Sequence, residues 1–229
     1  MTHGPRTLYH PAMETLPDPL PGNPLAVVAD WLRDAERDAA VPNPNAMVLA
    51  TADAEGRPSA RVVLCKDIDP GAGTLSFYTN YRSRKGRALD ANPYAAIVFH
   101  WDHRHRQVRA EGRVERLPAA DNDRYFRSRP WQSRLGAWAS RQSEPVASRA
   151  ALIAEVASTA RRFGIPYAGP GAPEPESITA DVPRPEHWGG YRLRIEAVEL
   201  WVEGDFRIHD RARWTRSAAG DWRATRLQP

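Results

Sequence analysis

The chain has 229 residues, enough for one large domain with a sizeable buried core. Its formal net charge of +4 and pI near 9.5 are a modest basic excess, which suits anionic small molecules as well as nucleic acid. A single cysteine excludes an internal disulfide framework and a cysteine-rich zinc site. Because there is no signal-peptide pattern and no apolar run near about 18 residues, we expect a soluble cytoplasmic protein.

The N-terminal segment differs in composition from the rest of the chain. Residues 1–22 are rich in proline and polar side chains and show no hydrophobic period, so they are predicted to form an arm. Residues 23–229 are predicted to form a single domain that opens with a helix. Pro24 lies in the first turn of this helix, and apolar residues at helical spacing form one face up to about residue 38.

Eight segments combine apolar, β-branched or alternating residues with flanking turn residues, which is typical of strands. They are predicted at 47–52, 60–68, 75–79, 94–101, 107–117, 191–202, 206–215 and 222–227. Short turn-rich links between the first three favour antiparallel meanders over a βαβ array. The pattern predicts a mainly β, α+β fold built on an antiparallel barrel, closed so that few strand edges stay open.

Helical patterns flank these strands. They are predicted at 84–91, 119–128, 133–139 and 148–163. Between the last helix and the last three strands, residues 164–187 form a Pro- and Gly-rich insertion. A loop of that length is unusual in a compact domain, so we expect it to be mobile or to act as a lid.

Positive charge gathers around one pair of strands. The apolar run from Arg61 to Lys66 has a cation at each end, and Ser83 is predicted to cap a helix that begins with Arg84 and Lys85. A helix N-terminus facing further cations is a good place to hold a phosphate group. Cations that only flank strands and start a helix in solvent would give the same pattern, so both interpretations stay open here.

A second polar group follows at a helix end. Tyr125 and Arg129 are four residues apart and would share one helix face, and Ser133 lies at the predicted start of the next helix. A phenol, a guanidinium and a hydroxyl on one side would suit a phosphate ester. Ordinary polar groups on the surface of a helix pair explain the spacing equally well.

A third group lies near the C-terminus. Arg207 and His209 are two apart on a predicted strand and would share a face, close to Trp201 on the neighbouring strand and to Arg211. The row could line a cleft or form a cross-strand ladder on the surface.

Other functions have weaker support. His100, His103 and His105 are close in sequence, but the arginines between them would repel a cation, so no metal site is expected. Arginines alternate with acidic residues, for example over 109–116, which breaks any continuous positive track for nucleic acid. Cys65, inside an apolar strand, is expected to be an inert buried thiol.

The chain also carries a long ordered set of short motifs, such as Trp-Gly-Gly-Tyr-Arg at 188–192. The others lie at residues 45–51, 61–66, 77–80, 83–85, 106–108, 125–130, 136–143, 199–201, 207–211 and 226–229. Together, from about residue 16 onward, they resemble the pyridoxine/pyridoxamine 5′-phosphate oxidase family. In the arm, Arg6 and Tyr9 are similar to the family's Arg-x-x-Tyr, which folds over the substrate.

The resemblance implies a split β-barrel homodimer with two FMN sites at the subunit interface. It implies an oxidase that converts pyridoxine or pyridoxamine 5′-phosphate to pyridoxal 5′-phosphate, with dioxygen as acceptor and hydrogen peroxide as product. A phenazine-biosynthesis-type FMN oxidase of the same fold, which tends to lose the grip on a substrate phosphate, is the first alternative. A flavin-binding protein without turnover is the second.

The resemblance also implies residue roles. FMN contacts are expected, partly from the second subunit, from Arg61, Val62, Val63, Leu64, Cys65, Lys66, Tyr78, Thr79, Arg84, Lys85, Gln107, Gln142, Ser143, Trp201 and Arg211. Substrate contacts are expected from Arg6, Tyr9, Lys66, Tyr125, Arg129, Ser133, Arg207 and His209. Of these, Arg207 and His209 are the catalytic candidates, over the pyridine ring.

One geometric condition follows from the residue spacing. Arg61 and Lys66 are an odd number of residues apart, so on an unbroken strand their side chains face opposite sides of the sheet. Both can reach one ligand only if the strand ends or bulges between them.

Overall fold

A computed structural model describes residues 14–39, 41–175, 178 and 180–229, which form five α-helices and eight β-strands. The helices are α1 Pro24–Glu36, α2 Arg84–Ala91, α3 Ala119–Ser128, α4 Trp131–Ala139 and α5 Arg149–Arg162. The strands are β1 Ala46–Ala52, β2 Pro58–Asp69, β3 Thr74–Asn80, β4 Tyr94–Trp101, β5 Arg106–Arg116, β6 Trp188–Val202, β7 Asp210–Arg216 and β8 Trp222–Leu227. None of the described helices is both long and apolar enough to cross a membrane; a cytoplasmic location stays a prediction.

Six of the strands close into an antiparallel barrel. Their order is β3-β2-β1-β4-β5-β6, and a further pairing of β3 with β6 closes the ring. The long strand β6 makes the split: its first half, Trp188 to Arg194, pairs with β3, and its second half, Ala197 to Val202, pairs with β7. Strand β8 then extends the sheet beyond β7. The predicted antiparallel split barrel with flanking helices is confirmed.

The barrel interior is the main core. Its largest fully buried side chains include Phe77, Phe99 and Met47, and α1 covers the core with Leu25 and Val28. Burying each large apolar side chain contributes roughly 1.5–3 kcal/mol, so this core supplies most of the driving force for folding. The interior is therefore filled, and any ligand site must lie outside the barrel.

The described part of the predicted arm lies against the sheet. Leu16 is 3% exposed and its backbone N–H donates to Asp210 at 2.8 Å. The Trp214 indole N–H donates to the Pro21 carbonyl, also at 2.8 Å. Residues 14–22 thus pack on the barrel, and a domain boundary at residue 23 stays a prediction.

The start of β7 differs from the sequence prediction. Asp205–Arg207 form a single 3-10 turn in which Phe206 and Arg207 have positive φ angles of 54° and 66°. The strand begins only at Asp210. The prediction that Arg207 and His209 share one face of a strand is therefore wrong: both precede β7, on a turn that the hydrophobic pattern of the sequence does not indicate. Likewise α4 begins at Trp131 and not at 133, because Pro130 already allows the first turn.

Described residues of the long insertion pack against α4 and α5. Ile165 and Val182 are 2% and 1% exposed and form a second apolar cluster with Leu135 of α4 and Ala160 of α5. The Trp138 indole N–H donates to the Pro183 carbonyl at 2.7 Å. The described residues of the loop, which form neither helix nor strand, thus pack against the outside of α4; mobility or a lid role for the segment stays a prediction.

Candidate functional site

A pocket of about 640 Å³ is bounded by β2, β3, α3 and α4. That volume suits a small organic ligand or cofactor. Among the residues singled out from the sequence, it brings together Arg61, Val62, Val63, Leu64, Lys66, Tyr78, Thr79, Lys85, Tyr125, Arg129, Ser133 and Gln142. The cations around β2 and the start of α2 and the group of Tyr125, Arg129 and Ser133 therefore belong to one site.

The pocket is strongly electropositive. Its wall carries Arg61, Lys66, Lys85 and Arg129, and no aspartate or glutamate lines it. Within the described residues none of these four side chains forms an ion pair with a carboxylate. The Nη1 atom of Arg129 is buried and has no hydrogen-bond partner there. Four uncompensated cations around one cavity are an arrangement that an anionic ligand stabilises.

Lys85 is the most enclosed of these cations. It is 9% exposed, and its ammonium donates to Gln142 Oε1 at 2.8 Å and to Thr79 Oγ1 at 3.1 Å. Ser83 caps α2, as predicted, by accepting from the Gly86 N–H, and this places Lys85 at the start of the helix. Burial, followed by the charge of Arg61, lowers the pKa of Lys85 to about 8. All its partners are neutral acceptors, so its charge stays available to a ligand.

Arg61 is held by neutral acceptors too. Its guanidinium donates to the Leu49 carbonyl at 3.0 Å, to Thr51 Oγ1 at 2.9 Å and to Ser59 Oγ at 2.6 Å. Burial, and then the neighbouring Arg84, lower its pKa. Arg84 is exposed at the first position of α2 and does not line the pocket. The two arginines nevertheless place positive charge together at this end of the site.

A β-bulge satisfies the geometric condition set by the spacing of Arg61 and Lys66. The register of β2 against β3 shifts between Cys65 and Asp67, so that Lys66 is the inserted residue, and both cations line the pocket. Cys65 itself points into the core, is 2% exposed, and burial raises the pKa of its thiol to about 12. The predicted burial of the thiol is confirmed, and Cys65 does not line the pocket.

An aromatic platform forms the opposite wall. The rings of Tyr78 and Tyr125 stack with centroids 3.9 Å apart, and Tyr78 stacks on Trp188 at 5.3 Å. The Arg129 guanidinium carbon lies 4.5 Å from the Trp188 centroid and 5.3 Å from that of Phe126. Burial is the main cause that lowers the pKa of Arg129. Its cation is thus held by ring faces and not by an acid.

Gly190 makes room for this platform. A Cβ at this position would lie 2.4 Å from Leu117 Cδ1 and 2.8 Å from Tyr78 Cε1. Only a residue without a side chain lets the Tyr78 ring lie flat against the strand.

The third polar group lies elsewhere in the same chain. Gln107, Trp201 and Arg211 are direct cross-strand neighbours on β5, β6 and β7. The His209 ring lies 4.7 Å from that of Trp201, and Arg211 donates to Glu199 at 2.7 Å. The predicted site residues that do not line the pocket are Cys65, Arg84, Gln107, Ser143, Trp201, Arg207, His209 and Arg211. Arg6 and Tyr9 lie outside the described residues.

Several lining residues were not singled out from the sequence. They are Asn80, Pro130, Gly136, Ala137, Ser140 and Trp188. Trp188 heads the Trp-Gly-Gly motif, whose adjacent glycines signal a close approach of another group. The small residues Gly136 and Ala137 lie on α4, where a small-residue face indicates space beside a helix. Among the described residues no group of three or more His, Cys, Asp or Glu side chains could hold a metal ion.

The split barrel with this cationic pocket defines the class of the FMN-binding split-barrel proteins. Two family models match the chain: "Pyridoxamine 5′-phosphate oxidase" over residues 34–162, and "Pyridoxine 5′-phosphate oxidase C-terminal dimerisation region" over residues 188–229. The chain belongs to the pyridoxamine 5′-phosphate oxidase family.

Relatives with curated names agree. The chain is 50% identical to the pyridoxine/pyridoxamine 5′-phosphate oxidase of Paracoccus denitrificans over 199 residues, which cover 86% of this chain and 83% of the relative. It is 47% identical to that of Methylibium petroleiphilum over 207 residues, 90% of this chain and 89% of the relative. These similarities support an oxidoreductase of this family.

Solved structures show the same architecture. PhzG from Burkholderia lata 383, determined in complex with tetrahydrophenazine-1-carboxylic acid, has a TM-score of 0.79 and 32% identity, with coverage of 93% of this chain and 95% of that one. A pyridoxamine 5′-phosphate oxidase-related, FMN binding protein of Nostoc punctiforme has a TM-score of 0.66 at 16% identity, with coverage of 89% and 96%. The second similarity shows the fold alone.

Proposed function

We propose that the protein is an FMN-dependent oxidase that converts pyridoxine or pyridoxamine 5′-phosphate to pyridoxal 5′-phosphate. The observation that supports this proposal most is that one pocket has four cationic side chains and no carboxylate in its wall. Two phosphorylated ring compounds, one cofactor and one substrate, need several cations and flat aromatic surfaces in one place, and the pocket supplies both.

The FMN phosphate would lie at the end of the pocket formed by β2, β3 and the start of α2. Arg61 and Lys85 supply charge there, and Thr79 and Gln142 supply polar groups already bonded to the lysine. Arg84 adds a second guanidinium close to Arg61. The backbone of β2 from Val62 to Leu64 would run alongside the cofactor, since these residues line the same wall.

The substrate phosphate would lie at the other end. Contacts to it would come from four residues that line the pocket, Lys66, Tyr125, Arg129 and Ser133. The buried, unpartnered Nη1 of Arg129 is a donor without an acceptor, which a phosphate oxygen would satisfy. Ser133 lies in the first turn of α4, where the helix N-terminus also favours an anion.

A second copy of the chain would complete each site. Five of the expected site residues do not line the pocket of their own chain: Gln107, Trp201, Arg207, His209 and Arg211. All of them except Gln107 belong to the segment that matches the family's dimerisation region. Beside them, Phe206 and Ile208 are 95% and 72% exposed, the type of apolar surface that marks an interaction site. A homodimer with two shared sites accounts for both facts.

Bound FMN would supply the redox chemistry, taking two electrons from the substrate and passing them to dioxygen, which becomes hydrogen peroxide. The protein's own groups bind and orient. Lys66, Arg129 and their neighbours fix the substrate by its phosphate, away from the reacting carbon. Arg207 and His209 would lie over the pyridine ring, orient it and stabilise charge on it; neither is assigned as an obligatory base. The alcohol yields the aldehyde directly, and the amine yields it with uptake of water and release of ammonia.

The second candidate is a phenazine-type FMN oxidase, favoured by the structural similarity to PhzG. Such a substrate has a carboxylate but no phosphate. The complete set of Lys66, Tyr125, Arg129 and Ser133 in one pocket argues for a phosphorylated substrate instead.

The test is the absorption spectrum and turnover of the purified protein. We expect a yellow protein whose flavin bands bleach when pyridoxine 5′-phosphate is added without air, and which forms aldehyde and peroxide in equal amounts when air is admitted. A protein that binds FMN but is not reduced by either vitamer would contradict the proposal, and reduction by tetrahydrophenazine-1-carboxylic acid alone would favour the second candidate.

A further inference from the structure

Arg184, in the long insertion, ties two elements of the pocket together. Its Nε donates to Asp123 Oδ1 of α3 at 2.6 Å, and its Nη1 donates to the Trp188 carbonyl at the start of β6 at 2.9 Å. The side chain is only 15% exposed, so this ion pair is better shielded than one in open solvent. Neither the motifs nor the pocket lining include Arg184.

The Arg129 guanidinium packs against both elements that Arg184 joins. Its carbon lies 4.5 Å from the ring centroid of Trp188 at the start of β6 and 5.3 Å from that of Phe126 on α3. The Trp188 and Phe126 rings themselves meet edge to face at 5.0 Å, and Trp188 is nearly parallel to Tyr125, with 8° between the planes. The separation of α3 from β6 therefore sets where Arg129 lies.

Arg129 is sensitive to that separation because nothing else fixes its charge. No carboxylate pairs with it among the described residues, and its Nη1 has no partner. Cation–π contacts depend steeply on ring distance and angle, so a small shift of α3 against Trp188 moves or loosens the guanidinium.

We propose that Arg184 is a positioning residue for the phosphate end of the pocket: it holds α3 against β6 and so keeps Arg129 aimed at a bound phosphate. This rests on the proposed function of the pocket. Arginine suits the task because its fork donates in two directions at once, to a carboxylate on one element and to a backbone carbonyl on another. A lysine would reach both acceptors less well, since its ammonium is a single point.

The fold does not depend on Arg184 alone. Asn122 of α3 also contacts β6, where its Oδ1 accepts from the Gly190 N–H at 2.8 Å, and its Nδ2 donates to the Leu117 carbonyl at 3.1 Å. Asn122 is 3% exposed. Removal of the arginine should therefore leave a folded barrel in which α3 is held less closely.

The experiment compares Arg184→Ala with wild type as FMN-loaded enzyme. We expect the KM for pyridoxamine 5′-phosphate and the inhibition constant of inorganic phosphate each to rise about fivefold, with kcat and the FMN dissociation constant unchanged. Arg124→Ala is the matched control: it removes an arginine from the same helix that pairs with Asp121 at 2.6 Å but is 77% exposed. It should change none of these constants.

Two further variants separate positioning from general damage. In an Arg129→Ala background, Arg184→Ala should cause no additional rise in KM, because the group it positions is gone. Arg184→Lys should show a smaller rise in KM and in the phosphate inhibition constant than Arg184→Ala. Asp123→Asn should also show a smaller rise, and it tests the proposal if Arg184→Ala does not fold.

An unchanged phosphate inhibition constant in Arg184→Ala, an additive effect in the double variant, or an equal loss of FMN would each overturn the proposal. If wild-type enzyme neither holds flavin nor turns over a vitamer phosphate, the proposed function fails first, and that result is visible before any variant is made.

Discussion

Lys85 is the residue whose charge state depends most on what is bound beside it. Its ammonium is enclosed by neutral acceptors, and burial followed by Arg61 lowers its pKa to about 8. A phosphate dianion next to it would raise that pKa again, because an opposite charge favours the charged form. The occupied and the free pocket therefore bind different numbers of protons above neutral pH.

A pH dependence of FMN binding follows from this difference. Below pH 8 Lys85 is already protonated and binding takes up no proton there; above pH 8 the lysine must gain one, so the FMN dissociation constant should rise by up to about tenfold per pH unit. The phosphate group, whose second pKa is about 6, stays mostly dianionic over this pH range. Flavin-fluorescence titrations from neutral pH to about one unit above the Lys85 pKa measure this directly. Lys85→Arg, which keeps its charge, should give a flat profile; a flat wild-type profile would contradict the assignment.

Arg129→Ala tests the substrate end of the pocket. Loss of one charge-assisted contact to a phosphate costs about 1.5–3 kcal/mol, so KM should rise roughly ten- to hundredfold. FMN should stay bound with its affinity unchanged, because Arg61 and Lys85 hold the other end. Arg127→Ala, which removes an exposed arginine two residues earlier on α3, is the control for lost charge alone. Equal loss of flavin in Arg129→Ala would mean that this residue belongs to the cofactor end.

At the scale of elements, the tight joint between β3 and β6 depends on Gly190. A methyl group there would meet Leu117 at 2.4 Å and the Tyr78 ring at 2.8 Å, so Gly190→Ala forces the platform ring off the strand. Overpacking of this kind costs about 1–3 kcal/mol, and the melting temperature should fall by roughly 3–10 °C. Gly22→Ala is the control, since a Cβ at Gly22 would meet no atom within 4 Å. Thermal melts of both variants measure this difference. An unchanged melting temperature in Gly190→Ala would show that the contact between β3 and β6 has room for a methyl group.

The elements themselves could be predicted because their signals are local. Ser83 caps α2 as its position before a helical pattern indicates, and β5 follows the alternation of its side chains. The turn at Phe206 could not be predicted, because a positive φ in a residue with a side chain is imposed by its surroundings. The packing of the long insertion was missed for a similar reason: Val182 stands in a polar, Pro-rich stretch, and its 1% exposure results from α4 and α5.

The candidate site was only partly predictable by the same reasoning. The sequence shows directly that cationic residues lie near the ends of predicted strands and helices. For each group taken alone, however, a position on the solvated surface and a position in a shared ligand pocket explained the pattern equally well. The parity of the spacing required either a strand end or a bulge between Arg61 and Lys66, and the register shift shows that it is a bulge. The roles of Trp188 and Arg184 depend on contacts between elements, which no local sequence pattern indicates. Trp188 stacks on Tyr78, and Arg184 donates both to Asp123 and to the Trp188 carbonyl.

At the scale of the whole molecule, barrel closure divides the site residues into two sets. The pairing of β3 with β6 brings Thr74 opposite Arg194 and leaves the pocket on one side of this joint. Trp201 lies on the far half of β6, Arg211 lies on β7 and His209 lies just before β7, all outside that pocket. A single chain would thus carry half of each of two different sites, and a symmetric dimer would contain two complete ones.

This division makes subunit complementation the sharpest test of the assembly. A chain with Arg129→Ala lacks the pocket half, and a chain with Arg207→Ala lacks the other half; each homodimer should therefore have low activity when it is assayed at a substrate concentration well below the wild-type KM. When the two are unfolded together and refolded, random pairing gives about half heterodimers, each with one intact site out of two, so activity should recover to about a quarter of wild type. The pair Arg129→Ala and Lys66→Ala, with both changes in the same half, is the control and should not recover. If the first pair also fails to recover while both chains refold and bind FMN, the third polar group acts within its own chain or not at all, and the shared-site dimer is wrong.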